Sequence, residues 1–176
     1  MSEKKRGPES SQQTIVILTD ANVLINLIHI GQLDLLRQIP GYRFVVPEHV
    51  RAEVTQDAKA RHLAAAMANE VLEFTAITEL DEMALYAELH RTLGQGESSC
   101  LAIAVYRGFS IASDEKKTFR RTADKYIGEE RLMTTPDLIL SAIRAGLVTV
   151  TKADQWKREL ERRRFKMNFD SFQDLL

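Results

Sequence analysis

Two short apolar runs in this chain end in the same way. Ile15-Val16-Ile17-Leu18 is followed by Thr19 and Asp20, and Phe109 to Ala112 is followed by Ser113 and Asp114. Continuous β-branched and apolar runs of this length suit strands covered on both faces, which belong to parallel sheets. Each run thus brings an aspartate to the carboxyl end of a strand, where open parallel sheets bind ligands. One such aspartate alone would serve equally as a helix N-cap. Two matched exits point to a shared acidic, metal-binding site.

The intervening segments alternate helix and strand patterns, which predicts an α/β fold: a three-layer sandwich with a central parallel sheet of four to five strands flanked by helices. Tyr42 to Val46 and Val71 to Ile77 are the second and third strands, and Arg131 to Thr134 is a short last one. Val23, Leu24, Leu27 and Ile28 share one face of a helix ended by Gly31, and a short helix fits Leu33 to Ile39. Pro47 falls in the first turn of a helix carrying Val50 and Val54, which continues through Ala58 to Ala68. Further helices fit Glu79 to Leu93 (inner face Met83, Leu85 or Tyr86, and Leu89), Glu97 to Arg107 and Glu115 to Tyr126. Another runs from Thr135-Pro136 to Ala145. Residues 1–13 read as a disordered polar tail and 14–176 as one domain. Its helical extension, 152–176, is charged first and apolar at the end, with Phe169, Phe172, Leu175 and Leu176.

Composition removes several functional classes. Lysine and arginine number 24 against 25 aspartates and glutamates, so total charge argues for neither nucleic acid nor membrane, and any such partner must be read from where charges lie. One cysteine, Cys100, excludes an internal disulfide and a cysteine-based zinc site. No segment reads as a secretory signal or a membrane span, so a cytoplasmic location is expected.

Two glutamates can join the aspartates. Helical spacing sets Glu53 beside Val50 and Val54, at the border of the buried face, where a carboxylate needs a partner; pairing with Arg51 or snorkelling would also satisfy it. Glu97 opens a helix just after Gly94-Gln95-Gly96. It either complements the helix dipole or reaches across to the strand ends where the glycines allow close approach. Four converging carboxylates call for hard divalent cations, and oxygen-only ligands favour Mg²⁺ or Mn²⁺. The four histidines, His29, His49, His62 and His90, show no ligand spacing. A two-metal carboxylate site suits phosphodiester hydrolysis, one ion activating water and the other stabilising the leaving oxygen.

At these positions the sequence resembles PIN-domain nucleases over essentially all of residues 14–176. The matching segments are ILTDANVLINL around Asp20, VPEHVRAEV around Glu53, LGQGESSCLAIA around Glu97 and IASDEKKTFRR around Asp114. The resemblance implies a metal-dependent endoribonuclease whose catalytic, metal-holding quartet is Asp20, Glu53, Glu97 and Asp114. Many members carry aspartate where this chain has Glu97, although one branch has a Gly-Glu pair there, and many carry a second aspartate where this chain has Glu115. Neither change removes a carboxylate. Asn22 and Ser113 would orient the aspartates, Glu115 stands beside them, and Asp137 would contact metal-bound water or simply serve the first turn of its helix.

Lys116, Lys117, Arg120 and Arg121 follow Asp114 and form either an RNA-binding strip or a solvated helix face. The basic run Lys157 to Lys166 lies further along the chain and is read as a solvated face or a protein-docking surface. Many PIN domains of this size resemble VapC-type toxins, which implies a small antitoxin partner and homodimerisation. Two readings compete with the nuclease. A catalytically weak or silent PIN-like module would bind RNA or protein without cutting. A haloacid-dehalogenase-like phosphatase would need an aspartate at position 22, where the chain has Asn22.

Overall fold

The computed structural model describes residues 14–176, so the tail expected over 1–13 lies outside the described residues. Five strands form one sheet: β1 (Ile15–Thr19), β2 (Tyr42–Pro47), β3 (Glu73–Thr75), β4 (Ser110–Ala112) and β5 (Leu132–Met133). Their order is β3-β2-β1-β4-β5 and every pairing is parallel. The chain builds outward from β1 in one direction, then returns to build outward in the other. The gap between the β1 and β4 exits is therefore the topological switch point, the place where a parallel sheet leaves a crevice.

Helices cover both faces: α1 (Ala21–His29), α2 (Leu35–Gln38), α3 (Glu48–Glu53), α4 (Asp57–Ala68), α5 (Leu80–Leu89), α6 (Gln95–Arg107), α7 (Thr118–Ile127), α8 (Thr135–Arg144) and α9 (Val150–Arg162). Ile17 and Leu18 are wholly buried, as are Val46 and Ile111 of the neighbouring strands, which explains why these runs carry no polar alternation. Burying each such side chain contributes roughly 1.5–3 kcal/mol. Helix α6 is buried almost along its length from Gly96 to Ala104, and its small residues Ser98, Ser99, Ala102 and Ala104 let it lie close beneath the sheet.

Several boundaries differ from the sequence expectation, each for a local reason. The expected helix from Pro47 through Ala68 is broken after Glu53, where Val54 turns inward and becomes buried, so Glu53 ends α3. Pro47 closes β2 and caps α3 from outside the helix. Helix α7 starts at Thr118, three residues later than expected, because the amide of Glu115 donates back to Ser113 Oγ (3.3 Å) and holds the chain in a turn. On α5, Leu85 and Leu89 face inward while Met83 is exposed; the inward place goes to Glu82, whose carboxylate receives Nε (2.6 Å) and Nη2 (2.8 Å) of Arg107. Helix α8 starts at Thr135 as expected, with Thr134 as its cap. The final apolar segment is one 3-10 turn, Phe172–Leu175, anchored by the buried Phe172 ring.

Candidate active site

Asp20 leaves β1 as the N-cap of α1 and is 3% exposed. Its Oδ1 accepts from the Ala21 amide (2.7 Å) and its Oδ2 from Ser113 Oγ (3.1 Å). The register that pairs Thr19 with Ala112 puts Ser113 abreast of Asp20, so the hydroxyl residue of one exit holds the aspartate of the other. Burial pushes the Asp20 carboxyl up to about 7; its two hydrogen bonds work against that rise, and the charges of Glu53 and Glu97 add to it. Both readings of this aspartate hold together: it is a helix cap and an acid facing other acids.

Asp114, half-buried, takes a different set of donors. Thr135 gives it both its amide (2.8 Å, to Oδ1) and its hydroxyl (2.5 Å, to Oδ2), and Asn26 Nδ2 adds a third bond (2.9 Å). Burial raises its pKa, and the Thr135 and Asn26 bonds and Lys116 oppose the rise. Asn26 and Thr135 escaped the sequence reading. The signal for Asn26 was present: it sits amid the apolar face of α1 beside Val23 and Leu27, where a polar side chain needs a partner. Thr135 carried no such signal, since a threonine beside proline at a helix start reads as a cap.

Glu115 turns toward the other acids. Asn22 Nδ2 donates to its Oε1 (2.6 Å) across the crevice, so Asn22 orients Glu115 where the sequence suggested an aspartate. Glu97 is half-buried and its Oε2 accepts from the Gly94 amide (2.9 Å), the capping role set against its functional one. Burial raises the Glu97 pKa against that bond, and the charges of Glu115 and then Glu53 raise it further. Glu53 is more exposed than its spacing predicted, yet it is held: the Gly96 amide donates to its Oε1 (2.8 Å). It is therefore Gly96 that approaches closely, and Glu53 that it receives. Asp137 is spent on its own helix, accepting from the amide (2.8 Å) and hydroxyl (2.6 Å) of Thr134.

Comparison with known families decides what kind of chain this is. A family model described as PIN domain matches residues 16–173. The chain belongs to the PIN-domain family. Among solved structures it is similar to that of VapBC-1 from nontypeable Haemophilus influenzae, at 15% identity and a TM-score of 0.48, covering 68% of this chain and 96% of that one. No curated protein matches it.

The basic residues of this PIN domain divide between two surfaces. Lys116, Lys117, Arg120 and Arg121 line one shallow cavity of about 290 Å³, where Asp124 and Glu129 offset them and Arg120 pairs with Glu129 (2.6 Å). Only Lys116 also lines the groove of about 470 Å³ that contains Asn22, Asn26, Asp114 and Glu115. The other side of that groove is Arg163, Arg164 and Lys166, residues the sequence reading had set apart from the site. Of the four histidines, His49 and His90 flank Tyr86 and His62 meets the Ala58 carbonyl, whereas His29 lines the groove with Asp114 and Glu115.

The donor chemistry fits a hard cation. None of Asp20, Glu53, Glu97, Asp114 and Glu115 forms an ion pair among the described residues. Among those residues no three His, Cys, Asp or Glu side chains are placed to hold one metal ion together.

Proposed function

We propose that this PIN domain is a metal-dependent endoribonuclease acting on RNA phosphodiester bonds, with Asp20, Glu53, Glu97 and Asp114 as its catalytic acids. The observation that carries the proposal is the Asp20 carboxyl, buried at the switch point of the sheet, held up to about 7 and facing Glu53 and Glu97 with no cationic partner among the described residues. Positive charge supplied from outside the chain would favour the ionised form of a carboxylate in that position. Mg²⁺ or Mn²⁺ bound there would supply the Lewis acidity that phosphodiester hydrolysis requires at both attacking and leaving oxygens.

The chain's own residues have distinct parts in this scheme. Asp20, Glu97, Glu53 and Asp114 would hold the ion, Glu53 fixed by Gly96, and Glu115, fixed by Asn22, would stand beside them. Asp114 completes the acidic edge, its direction set by Thr135 and Asn26. Ser113 ties the two strand exits so that the Asp20 carboxylate keeps one orientation. The resemblance to VapC-type members extends the proposal to the toxin of a toxin–antitoxin pair, with a small antitoxin as partner and a homodimer as its assembly.

The spacing of the acids favours a second reading, a PIN-like module that binds RNA or protein and cuts weakly or not at all, since no three of them share one metal position among the described residues. Incubating labelled RNA with the protein in Mg²⁺, Mn²⁺ or EDTA separates the two. Cleavage that requires the divalent ion supports the nuclease, and RNA retained intact in every ion supports the silent module.

A further inference from the structure

The wall of the groove that faces Asp114 and Glu115 comes from the turn after α9. That turn is closed by two hydrogen bonds, from the Arg164 amide to the Glu161 carbonyl (3.0 Å) and from the Phe165 amide to the Leu160 carbonyl (3.0 Å). This is the Schellman pattern, and its pivot residue must adopt the left-handed conformation. Here the pivot is Arg164, at φ 69. Glycine takes that conformation without penalty and is the usual occupant, whereas an arginine carries the steric cost of its Cβ. The turn after α4 has the same pattern with Glu70 at φ 57, so it is the position of Arg164 on the groove, and not its backbone alone, that sets it apart.

Arg164 and Lys166 are exposed and, among the described residues, neither forms an ion pair, while Arg163 is partly engaged by Glu159 (3.0 Å). A basic residue at the end of a helix also complements the helix dipole, which accounts for Arg162 and Arg163. It does not account for Lys166, beyond the turn. A second cavity, about 170 Å³, shares Asp114, Lys116, Phe165 and Lys166 with the first and extends past Pro136 to Phe169. Together the two cavities make a track lined by the acids Asp114 and Glu115 and by the cations Lys116, Arg163, Arg164 and Lys166. Half-buried Phe165 lines both.

We propose that Arg164 and Lys166, assisted by Arg163, form a phosphate-binding wall that holds a single RNA strand along the acidic edge of the site. The proposal rests on the nuclease reading and adds the residues that position its substrate. Backbone phosphates seat on the wall, which turns the strand's sugar-phosphate edge toward the acids, and the Phe165 ring offers a surface on which a base stacks. The positioning residues thus come from the C-terminal segment rather than from the strip after Asp114, most of which faces another cavity and is partly neutralised by Asp124 and Glu129.

The test uses full-length protein carrying Asp20→Asn, so that RNA stays intact, and a fluorescently labelled single-stranded RNA across a salt series. Adding Arg164→Gly and Lys166→Gln is expected to weaken binding at least about tenfold and to reduce the slope of log affinity against log salt by about 1.4, as the loss of two phosphate contacts predicts. Arg164→Gly alone is expected to unfold at an equal or higher temperature than the parent, because the strain is gone, while still weakening RNA binding. Unchanged affinity and slope in the double variant, with the unmodified protein still cleaving RNA, would overturn the wall and leave the nuclease standing. Absence of RNA binding by either protein, with no cleavage by the unmodified one, would overturn both.

Discussion

The Gly96 amide donates to Oε1 of Glu53 at 2.8 Å, joining the start of α6 to the end of α3. A Cβ built on Gly96 would lie 2.8 Å from Oε2 and 3.0 Å from Cδ of the same carboxylate, inside any tolerable contact. Gly96→Ala is therefore expected to push the exposed Glu53 carboxylate from its place at little cost in stability, since a flexible side-chain end can swing aside. Single-turnover cleavage should fall at least about tenfold, the loss of one misplaced carboxylate. Full activity in a folded Gly96→Ala protein would remove Glu53 from the mechanism.

Stability should depend on pH through Asp20. Its folded pKa of about 7 lies above the 3.8 of the unfolded chain, so the unfolded chain ionises first as pH rises. The metal-free protein is thus most stable with respect to this group below about pH 4 and loses on the order of 4 kcal/mol as pH climbs through 7. The raised Asp114 and Glu97 act in the same direction. Urea denaturation in EDTA should find Asp20→Asn more stable than the parent at about pH 8 and equal to it at about pH 4. A parent more stable than Asp20→Asn at the higher pH contradicts this account.

Thr135 donates twice to Asp114, and only one of the two donors is a side chain. Thr135→Val removes the hydroxyl and leaves a half-buried carboxylate short of a bond, at a cost of about 2 kcal/mol by chemical denaturation. Thr135→Ser should recover most of that loss. Equal destabilisation by serine and valine would show that packing, not the hydrogen bond, is what matters there.

Glu115 is the first of the charged neighbours that raise Glu97. Glu115→Gln keeps an acceptor for Asn22 and removes the charge, so the Glu97 pKa should move down toward the ordinary glutamate value. Carbon-13 NMR titration of the glutamate carboxyls reads this directly. An unmoved Glu97 titration would separate the two side chains.

Much of this site was legible in the chain because its two aspartates follow continuous apolar strands, whose burial leaves no freedom of face. The layer order, the parallel sheet and the exits of Asp20 and Asp114 follow from that alone. Glu53 and Glu97 were found as candidates, but their hydrogen bonds were not: Gly94 and Gly96 lie only two residues apart, and only the helix phase decides which carboxylate each meets. Helix starts shifted where one side chain redirected the backbone, as Ser113 does for the amide of Glu115. The basic wall was missed because Arg164 and Lys166 lie about fifty residues beyond Asp114 in the chain, and only tertiary folding sets them across the groove from it. Charge runs carry no record of what they face.

The most direct test is cleavage of a single-stranded RNA in Mg²⁺ and in Mn²⁺ by the parent and by Asp20→Asn, with circular dichroism confirming equal folding. The site described here predicts cleavage by the parent that EDTA abolishes, and a loss of at least about a hundredfold in Asp20→Asn, the scale expected when a carboxylate that holds a catalytic ion is neutralised. Equal cleavage by the two folded proteins would contradict it.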